Sequence, residues 1–344
     1  MNKGVLIEDV RQFADHFVLW NELKGKTFLI TGATGLIGSV MIRCLLELDR
    51  QRQLGLHVIA VVRNMDKAKS VFGEDYYKDI VFLQIQLSDI TQDTINHMIN
   101  YVVHLASPTA SNYFVEHPVE TLRTAIEGTT AVLEYAKKIK VKGFVYASSL
   151  ETYGSNHTDE WIKEDYQGYV NPIEIRSSYN VGKRACECLC HAYAEEYGVN
   201  VMIARLTQTF GAGVEYNDRR VFAQFARKVI EGENIELHTM GNTCRMYCYT
   251  TDAVCALLYL LLKGEKGEAY NIANKESYIS IRDMAFMVRS KFNQDIKIVF
   301  SEKTNMGYAP ETKLKLDTSK IEEIGWKPKY KLSEMFERLI LYLR

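Results

Sequence analysis

The chain has 344 residues, enough to bury a large core in one or two domains, and 42 basic residues against 43 acidic ones leave a formal charge of −1. No basic field invites nucleic acid and no polybasic tail a membrane surface, and the longest apolar run, residues 253–262, is too short to cross a bilayer. Acidic residues stand where a signal peptide needs its apolar core, so a soluble cytoplasmic protein is expected, with neither nucleic acid nor membrane as partner.

Residues 5–22 carry Val5, Leu6, Val10, Phe13, Phe17 and Trp20 at mostly helical spacing and predict one or two amphipathic helices, an N-terminal extension over 1–25. Residues 27–31 are a short apolar strand. Gly32, Gly35 and Gly38 turn it into a helix over 39–49. Further strands are predicted at 57–62, 80–86, 101–105, 143–148 and 199–205, with helices between most of them, notably 119–139 and 178–197. Strands alternating with helices make βαβ units, so residues 26–205 are expected to form an α/β, Rossmann-type, doubly wound parallel sheet that binds a dinucleotide. Beyond 205 the alternation loosens, with helices predicted at 221–231, 251–263, 281–292 and 333–343. Residues 206–344 read as a smaller mixed lobe, mainly substrate-binding, with some segments returning to the first domain. A cleft at the carboxyl ends of the strands is where open α/β sheets take ligands. Of seven cysteines, Cys186, Cys188 and Cys190 alternate on a helix and only Cys186 and Cys190 share a face. They read as buried thiols, and without zinc-ligand spacing no metal is expected.

The glycine turn follows a strand and opens a helix. Glycines let the backbone approach a pyrophosphate, and the helix N-terminus supplies amide donors and positive potential. Candidate cofactor contacts are Gly32, Thr34, Gly35, Leu36, Ile37 and Gly38 in the turn, Asp89 and Ile90 after the third strand, and Leu105, Ala106 and Ser107 after the fourth. The second strand ends in Arg63-Asn64. An acid there would hold the ribose 2′-hydroxyl of NAD, whereas a cation suits the 2′-phosphate of NADP, so both cofactors stay open. Asp89 reads equally as a helix cap.

Tyr179 and Lys183 are four apart, which on a helix stacks phenol and ammonium on one face about 6 Å along the axis. The ammonium is expected to lower the tyrosine from its usual pKa of about 10. A tyrosine so tuned takes a proton from a sugar hydroxyl while a nicotinamide takes the hydride. The same spacing recurs at Tyr259 and Lys263, in an apolar helix without a hydroxyl partner, and is expected to be structural. Ser148, Ser149 and Glu151 end a central strand at the cleft. Ser149 can hold the reacting oxygen beside Tyr179, and Glu151 can act as general acid or base, against its reading as a surface carboxylate. Arg220 and Arg245 are candidates to clamp a substrate diphosphate, because a guanidinium fork suits phosphate oxygens; each alone reads equally as a surface charge.

Turn, Ser-Ser and Tyr-x3-Lys in this order resemble the extended short-chain dehydrogenase/reductase family, the NAD-dependent epimerases and dehydratases, from about residue 26 to 329. Within it the chain resembles the UDP-glucuronate decarboxylases most. The strings that carry this are His104-Leu-Ala-Ser-Pro108, Ser111-Asn-Tyr113, Asp165-Tyr-Gln-Gly-Tyr-Val-Asn-Pro-Ile173, Arg176-Ser-Ser-Tyr179-Asn-Val-Gly-Lys-Arg184 and Asn217-Asp-Arg-Arg220-Val. The resemblance implies Ser149, Tyr179 and Lys183 as catalytic hydroxyl, base and ammonium partner, and Glu151 as the glutamate shared by decarboxylases and 4,6-dehydratases. It also implies Ser107, Gln208, Arg220 and Arg245 at a nucleoside-diphosphate sugar, a tightly held nicotinamide, and a homodimer paired through the tyrosine helix and its neighbours. Leu150 stands where decarboxylases have Ser and hexose dehydratases Asp, Ala125 and Gln208 replace Asn, and Arg63 replaces the ribose-binding Asp. Near Leu314 the decarboxylases carry an Arg that meets the sugar carboxylate; here Lys313 and Lys315 flank it. The expected chemistry is transient oxidation of the sugar at C4, then decarboxylation, 4,6-dehydration or epimerisation in that order of preference. The rival from another class is a dinucleotide-binding sensor without catalysis, which need not retain Ser, Tyr and Lys together.

Overall fold

A computed structural model describes residues 2–91, 93–108, 111–301 and 311–344. In chain order the strands are β1 (Thr27–Thr31), β2 (His57–Val62), β3 (Val81–Gln84), β4 (Tyr101–His104), β5 (Gly143–Ser149), β6 (Trp161–Ile162) and β7 (Val201–Leu206). They continue with β8 (Gln208–Phe210), β9 (Ile235–Leu237), β10 (Cys244–Tyr249), β11 (Ala269–Ile272), β12 (Asn274–Ser280), β13 (Ile298–Phe300) and β14 (Lys315–Leu316). The helices are α1 (Lys3–His16), α2 (Leu36–Arg52), α3 (Met65–Tyr77), α4 (Ser111–Glu116), α5 (Pro118–Ile139) and α6 (Ser177–Tyr197). After them come α7 (Val221–Glu231), α8 (Thr250–Lys263), α9 (Ile281–Phe292), α10 (Ser319–Glu323) and α11 (Leu332–Leu343).

Seven strands form one parallel sheet in the order β11-β7-β5-β4-β1-β2-β3. β4 and β7 are buried along their whole length, and β1 and β2 are buried but for their first residue, because helices cover both faces. The chain runs outward from β1 to β3, then returns to place β4 on the other side of β1. That reversal opens a crevice at the carboxyl ends of β1 and β4. The six strands expected from the sequence are all present. The seventh, β11, was not foreseen: it has four residues and includes Asn271, whose side chain is spent on the carbonyls of Ile162 and Asp317.

The second lobe carries a three-stranded sheet, β12-β10-β8, and two strand pairs, β13-β9 and β14-β6. β11 and the almost wholly apolar α8 return to the main sheet, where α8 packs on α2, β5 and β7. α1 is not an appendage: Val5, Leu6, Val10, Phe13, Ala14 and Phe17 enter the principal core. Tyr259 meets Phe17 edge-on at 6.1 Å, and Lys263 pairs with Glu22 at 2.8 Å. The second Tyr–Lys match therefore anchors the N-terminal segment. Among the described residues no helix is long and apolar enough to cross a membrane.

Candidate active site

β1 ends at the glycine turn. Gly32 has φ +67, and a Cβ there would sit 2.7 Å from the Leu105 backbone. A Cβ on Gly38 would lie 2.4 Å from the Gly32 carbonyl, so both positions require glycine to bring strand, turn and helix together. The Ser39 amide closes the first helical bond onto Gly35 at 2.9 Å. The amides of Leu36, Ile37 and Gly38 before it are the free donors of an α-helix start. Thr34 and Gly35 are accessible at the rim of this turn. These features fit a dinucleotide pyrophosphate. Leu105 and Ala106 back the turn: their amides donate to the Thr31 carbonyl and hydroxyl, each at 3.3 Å. Ser107 follows, with its hydroxyl on the Pro108 carbonyl at 3.2 Å.

One strand further on, β5 meets α6. The Ser149 hydroxyl at the end of β5 faces the half-buried Tyr179 phenol of α6 closely enough to favour its ionised form. The electrostatic expectation is corrected. Burial pushes the Tyr179 phenol up from 10.0 to about 12, the Ser149 hydroxyl only partly offsetting it and the Glu151 carboxylate adding to it. Lys183 does not tune the phenol, because its ammonium donates to the Ala147 carbonyl at 2.7 Å and stands 5.7 Å from the Tyr179 ring. Burial in turn lowers Lys183 to about 8, opposed by Cys186, Glu187 and Cys190. Phe114 of α4 stacks on Tyr179 with ring centroids 4.2 Å apart and planes at 11°.

Glu151 follows in a short 3-10 turn, with Asn180, Arg176 and Arg245 facing it. Asn180 Nδ2 reaches its carbonyl at 2.8 Å and its carboxylate at 3.4 Å. Arg245 Nη1 lies 3.7 Å and Arg176 Nη1 3.9 Å from the carboxylate. Arg245 is thus brought to Glu151, not to Arg220. Its Nη1 and the Oε1 of Gln208 are buried without a hydrogen-bond partner among the described residues, which leaves both able to bond a ligand. Gln208 opens β8 in register with Tyr247, two residues along β10 from Arg245. Arg220 caps α7 and folds back on Asp218, with bonds of 2.5, 3.0 and 3.1 Å. Burial acts to raise Asp218, but the guanidinium wins and holds it below the usual carboxylate range. A diphosphate clamp from Arg220 would first have to break that pair.

The remaining candidates separate. Arg63 is exposed at the end of β2, while the Asn64 side chain is spent capping α3 through the Lys67 amide at 2.8 Å. Asp89 is exposed and accepts from Ser88 at 3.0 Å; it ends a 3-10 turn and does not cap a helix. The Ile90 side chain lies in the core under the sheet. Cys186 and Cys190 are buried and Cys188 exposed. The side chains of Ser111 and Asn112 lie outside the described residues. Reasoning from sequence missed Arg176, Asn180 and Phe114 around the site, and Glu187 behind it. Glu187 had a signal, being the third member of the series 179, 183, 187 on one helix face.

An open parallel sheet with a glycine turn at its reversal, and a tyrosine–lysine helix after the next strand, define an extended short-chain dehydrogenase/reductase. Residues 28–273 match the NAD dependent epimerase/dehydratase family, and the chain belongs to it. It is 31% identical over 314 residues to UDP-glucuronic acid decarboxylase 3 of Arabidopsis thaliana, covering 89% of this chain and 85% of that one. Among solved structures it resembles the UDP-glucose 4-epimerase of Thermotoga maritima with UDP-glucose, at TM-score 0.78 and 25% identity over 92% of this chain and 98% of the other. The NAD complex of UDP-glucuronic acid 4-epimerase from Bacillus cereus shares the fold at TM-score 0.75 and 22% identity, over 92% and 98%.

Proposed function

We propose that this protein oxidises C4 of a nucleoside-diphosphate sugar with a bound, recycled nicotinamide, and that the resulting ketone serves a second step at C5. The observation that carries the reading is the convergence of Ser149, Tyr179 and Lys183 at the end of β5, next to β4 in the sheet that the glycine turn opens, with the Lys183 ammonium held on the Ala147 carbonyl at 2.7 Å. The nicotinamide, when bound, supplies the hydride acceptor and later the donor. Tyr179, once it has given up its own proton on ligand binding, takes the C4 hydroxyl proton, Ser149 holds that oxygen, and Lys183, fixed on the Ala147 carbonyl, keeps its ammonium one helical turn away. Glu151 moves the proton at C5 or C6. Gln208 and Arg245 meet the sugar nucleotide with their unpartnered atoms; Ser107 adds its hydroxyl, and Arg220 joins only on leaving Asp218. NAD is the cofactor supported by family membership, and Arg63 gives NADP a foothold. The chain pairs with a second copy through α5 and α6: Val119 and Ile126 lie seven apart on α5 and are 60% and 36% exposed. Sedimentation at the monomer mass would refute that pairing.

For the C5 step, likeness to the decarboxylases favours loss of CO2 from a C5 carboxylate, which the C4 ketone weakens. One observation favours a neutral sugar and hence dehydration or epimerisation. Leu150 and Leu314 are 2% and 3% exposed in one apolar cluster with Tyr153, Ile162, Met246, Ala273 and Leu316, and Lys313 is spent on Asp159. The experiment is a panel of UDP-glucuronate, dTDP-glucose, CDP-glucose and GDP-mannose, with reduced nicotinamide followed by absorbance and products by NMR. A pentose from the first establishes decarboxylation, and a 6-deoxy-4-keto sugar from another replaces it. Tyr179→Phe should cost about 10³-fold in turnover while Tyr259→Phe leaves it intact. Full turnover in Tyr179→Phe refutes the scheme, and a silent wild type leaves the non-catalytic sensor.

A further inference from the structure

Three consecutive residues end β5, and each is met by one member of a single face of α6. Tyr179 faces Ser149, and the Lys183 ammonium donates to the Ala147 carbonyl at 2.7 Å. The Ser148 hydroxyl donates to the Glu187 carboxylate. The spacing 179, 183, 187 stacks these groups along the helix. The C4 oxidation uses the first two and not the third, yet the third is the most heavily anchored. Arg205 on β7 forks onto Glu187 with bonds of 2.7, 3.0 and 3.1 Å. It also donates to Tyr153 Oη at 3.0 Å and to the Glu164 carbonyl at 2.6 Å. Tyr153 in turn donates to Asn271 on β11 at 2.5 Å. A buried polar chain therefore runs from the edge strand of the sheet to the neighbour of Ser149.

Both side chains of the ion pair are about nine-tenths buried. Desolvation cancels most of the attraction in such a pair, and a well-packed apolar replacement is commonly as stable. Stability is therefore a poor account of it. Direction and charge are better ones. The Glu187 carboxylate accepts from fixed donors on two strands, which sets the register of α6 against β5. Around Lys183 stand Tyr146 on β5, His104 on β4, and Tyr179, Cys186 and Cys190 on α6. His104 is neutral, burial holding it down to about 3. Glu187 is the carboxylate among the groups acting on Lys183.

We propose that Glu187 and Arg205 are a positioning pair for the redox step: they lock the end of β5 onto α6 so that Ser149 and Tyr179 meet, and they set a counter-charge one turn behind Lys183. The inference rests on the C4-oxidation reading for its kinetic consequence only. The test uses the full chain as Glu187→Gln, Arg205→Met and the double variant. In lysine-15N NMR, with the Lys183 resonance assigned through Lys183→Arg, the Nζ titration midpoint should fall by about one unit in Glu187→Gln and in the double variant. With UDP-glucuronate, or whichever panel sugar turns over, kcat should fall about 100-fold in each, with KM within about threefold. In Glu187→Gln and the double variant the alkaline limb of the rate profile should move to lower pH, because a Lys183 without its carboxylate loses its proton sooner. The double variant, free of unpaired buried charge, should regain the thermal stability that either single variant loses and should not regain the rate. Recovery of the rate together with stability, or an unmoved Lys183 midpoint, overturns the proposal. A wild type silent on every sugar refutes the C4 reading instead, and the NMR titration still decides the pair.

Discussion

Phe114→Ala tests why Tyr179 is a phenol in the ligand-free protein. Phe114 is 4% exposed and covers one face of the Tyr179 ring at 4.2 Å, with its carbonyl accepting from Ser178 Oγ at 3.3 Å. Burial takes the phenol from 10.0 to about 12. Two units amount to about 3 kcal/mol against ionisation, at about 1.4 kcal/mol each. Phe114 covers one of the two ring faces, so its removal should readmit water and bring the midpoint down from about 12 towards 10.0. The assay is titration of the ultraviolet phenolate band in the absence of ligand, taken as the difference between each protein and its Tyr179→Phe counterpart. Circular dichroism at each pH controls for the about 3 kcal/mol or more that loss of a buried phenyl ring costs the fold. An unmoved or raised midpoint means that Phe114 is not the cover. A midpoint near neutrality in the ligand-free wild type would refute the burial argument altogether and restore the lysine-tuned phenolate expected from the Tyr-x3-Lys spacing.

Two further outcomes follow from the structure. Burial raises Asp9 from 3.8 to about 6 and Asp252 from 3.8 to about 7, despite bonds from Tyr249 and Arg338 to the first and from the Lys329 and Tyr330 amides to the second. The folded state then holds these protons more tightly than the unfolded chain, so their contribution to stability is complete below about pH 4 and is lost as pH rises through about 6 to 7. The urea midpoint should decline over that window by an amount worth about 3 kcal/mol for Asp9 alone, and Asp9→Asn and Asp252→Asn should each flatten the decline; an unchanged slope in both rejects the assignment. Arg63→Asp should weaken NADP binding by about 10- to 100-fold and spare NAD, the loss expected for one charge-assisted contact to a 2′-phosphate. Equal NADP affinity by fluorescence titration would remove Arg63 from the cofactor site.

The main sheet was legible because strands buried on both faces read as short Val/Ile runs between helical patterns, and β1, β2, β4, β5 and β7 all obey that rule. The strands of the second lobe were not legible. β10 and β12 are partly exposed, and their Arg, Asn, Lys and Glu residues interrupt the apolar signal on which strand prediction depends. The site divides along the same line. The glycine turn, Ser149, Glu151, Tyr179 and Lys183 are local patterns, and the fold brings each to the strand ends where its spacing had put it.

What spacing could not supply is the competition among partners. It sees that Lys183 is one helical turn from Tyr179, but not that the Ala147 carbonyl lies closer and takes the ammonium. Nor does it see the Phe114 ring of α4, far upstream in the chain, stacked on the Tyr179 phenol. Arg245 shows the same limit from the other side. Its guanidinium suits phosphate on chemical grounds, yet in the fold it sits 3.7 Å from Glu151 with one nitrogen unpartnered. A group so placed lies within reach of the Glu151 carboxylate and keeps hydrogen-bonding capacity to spare. No spacing in the chain encodes that placement, because β10 and the turn after β5 are brought together only by the fold.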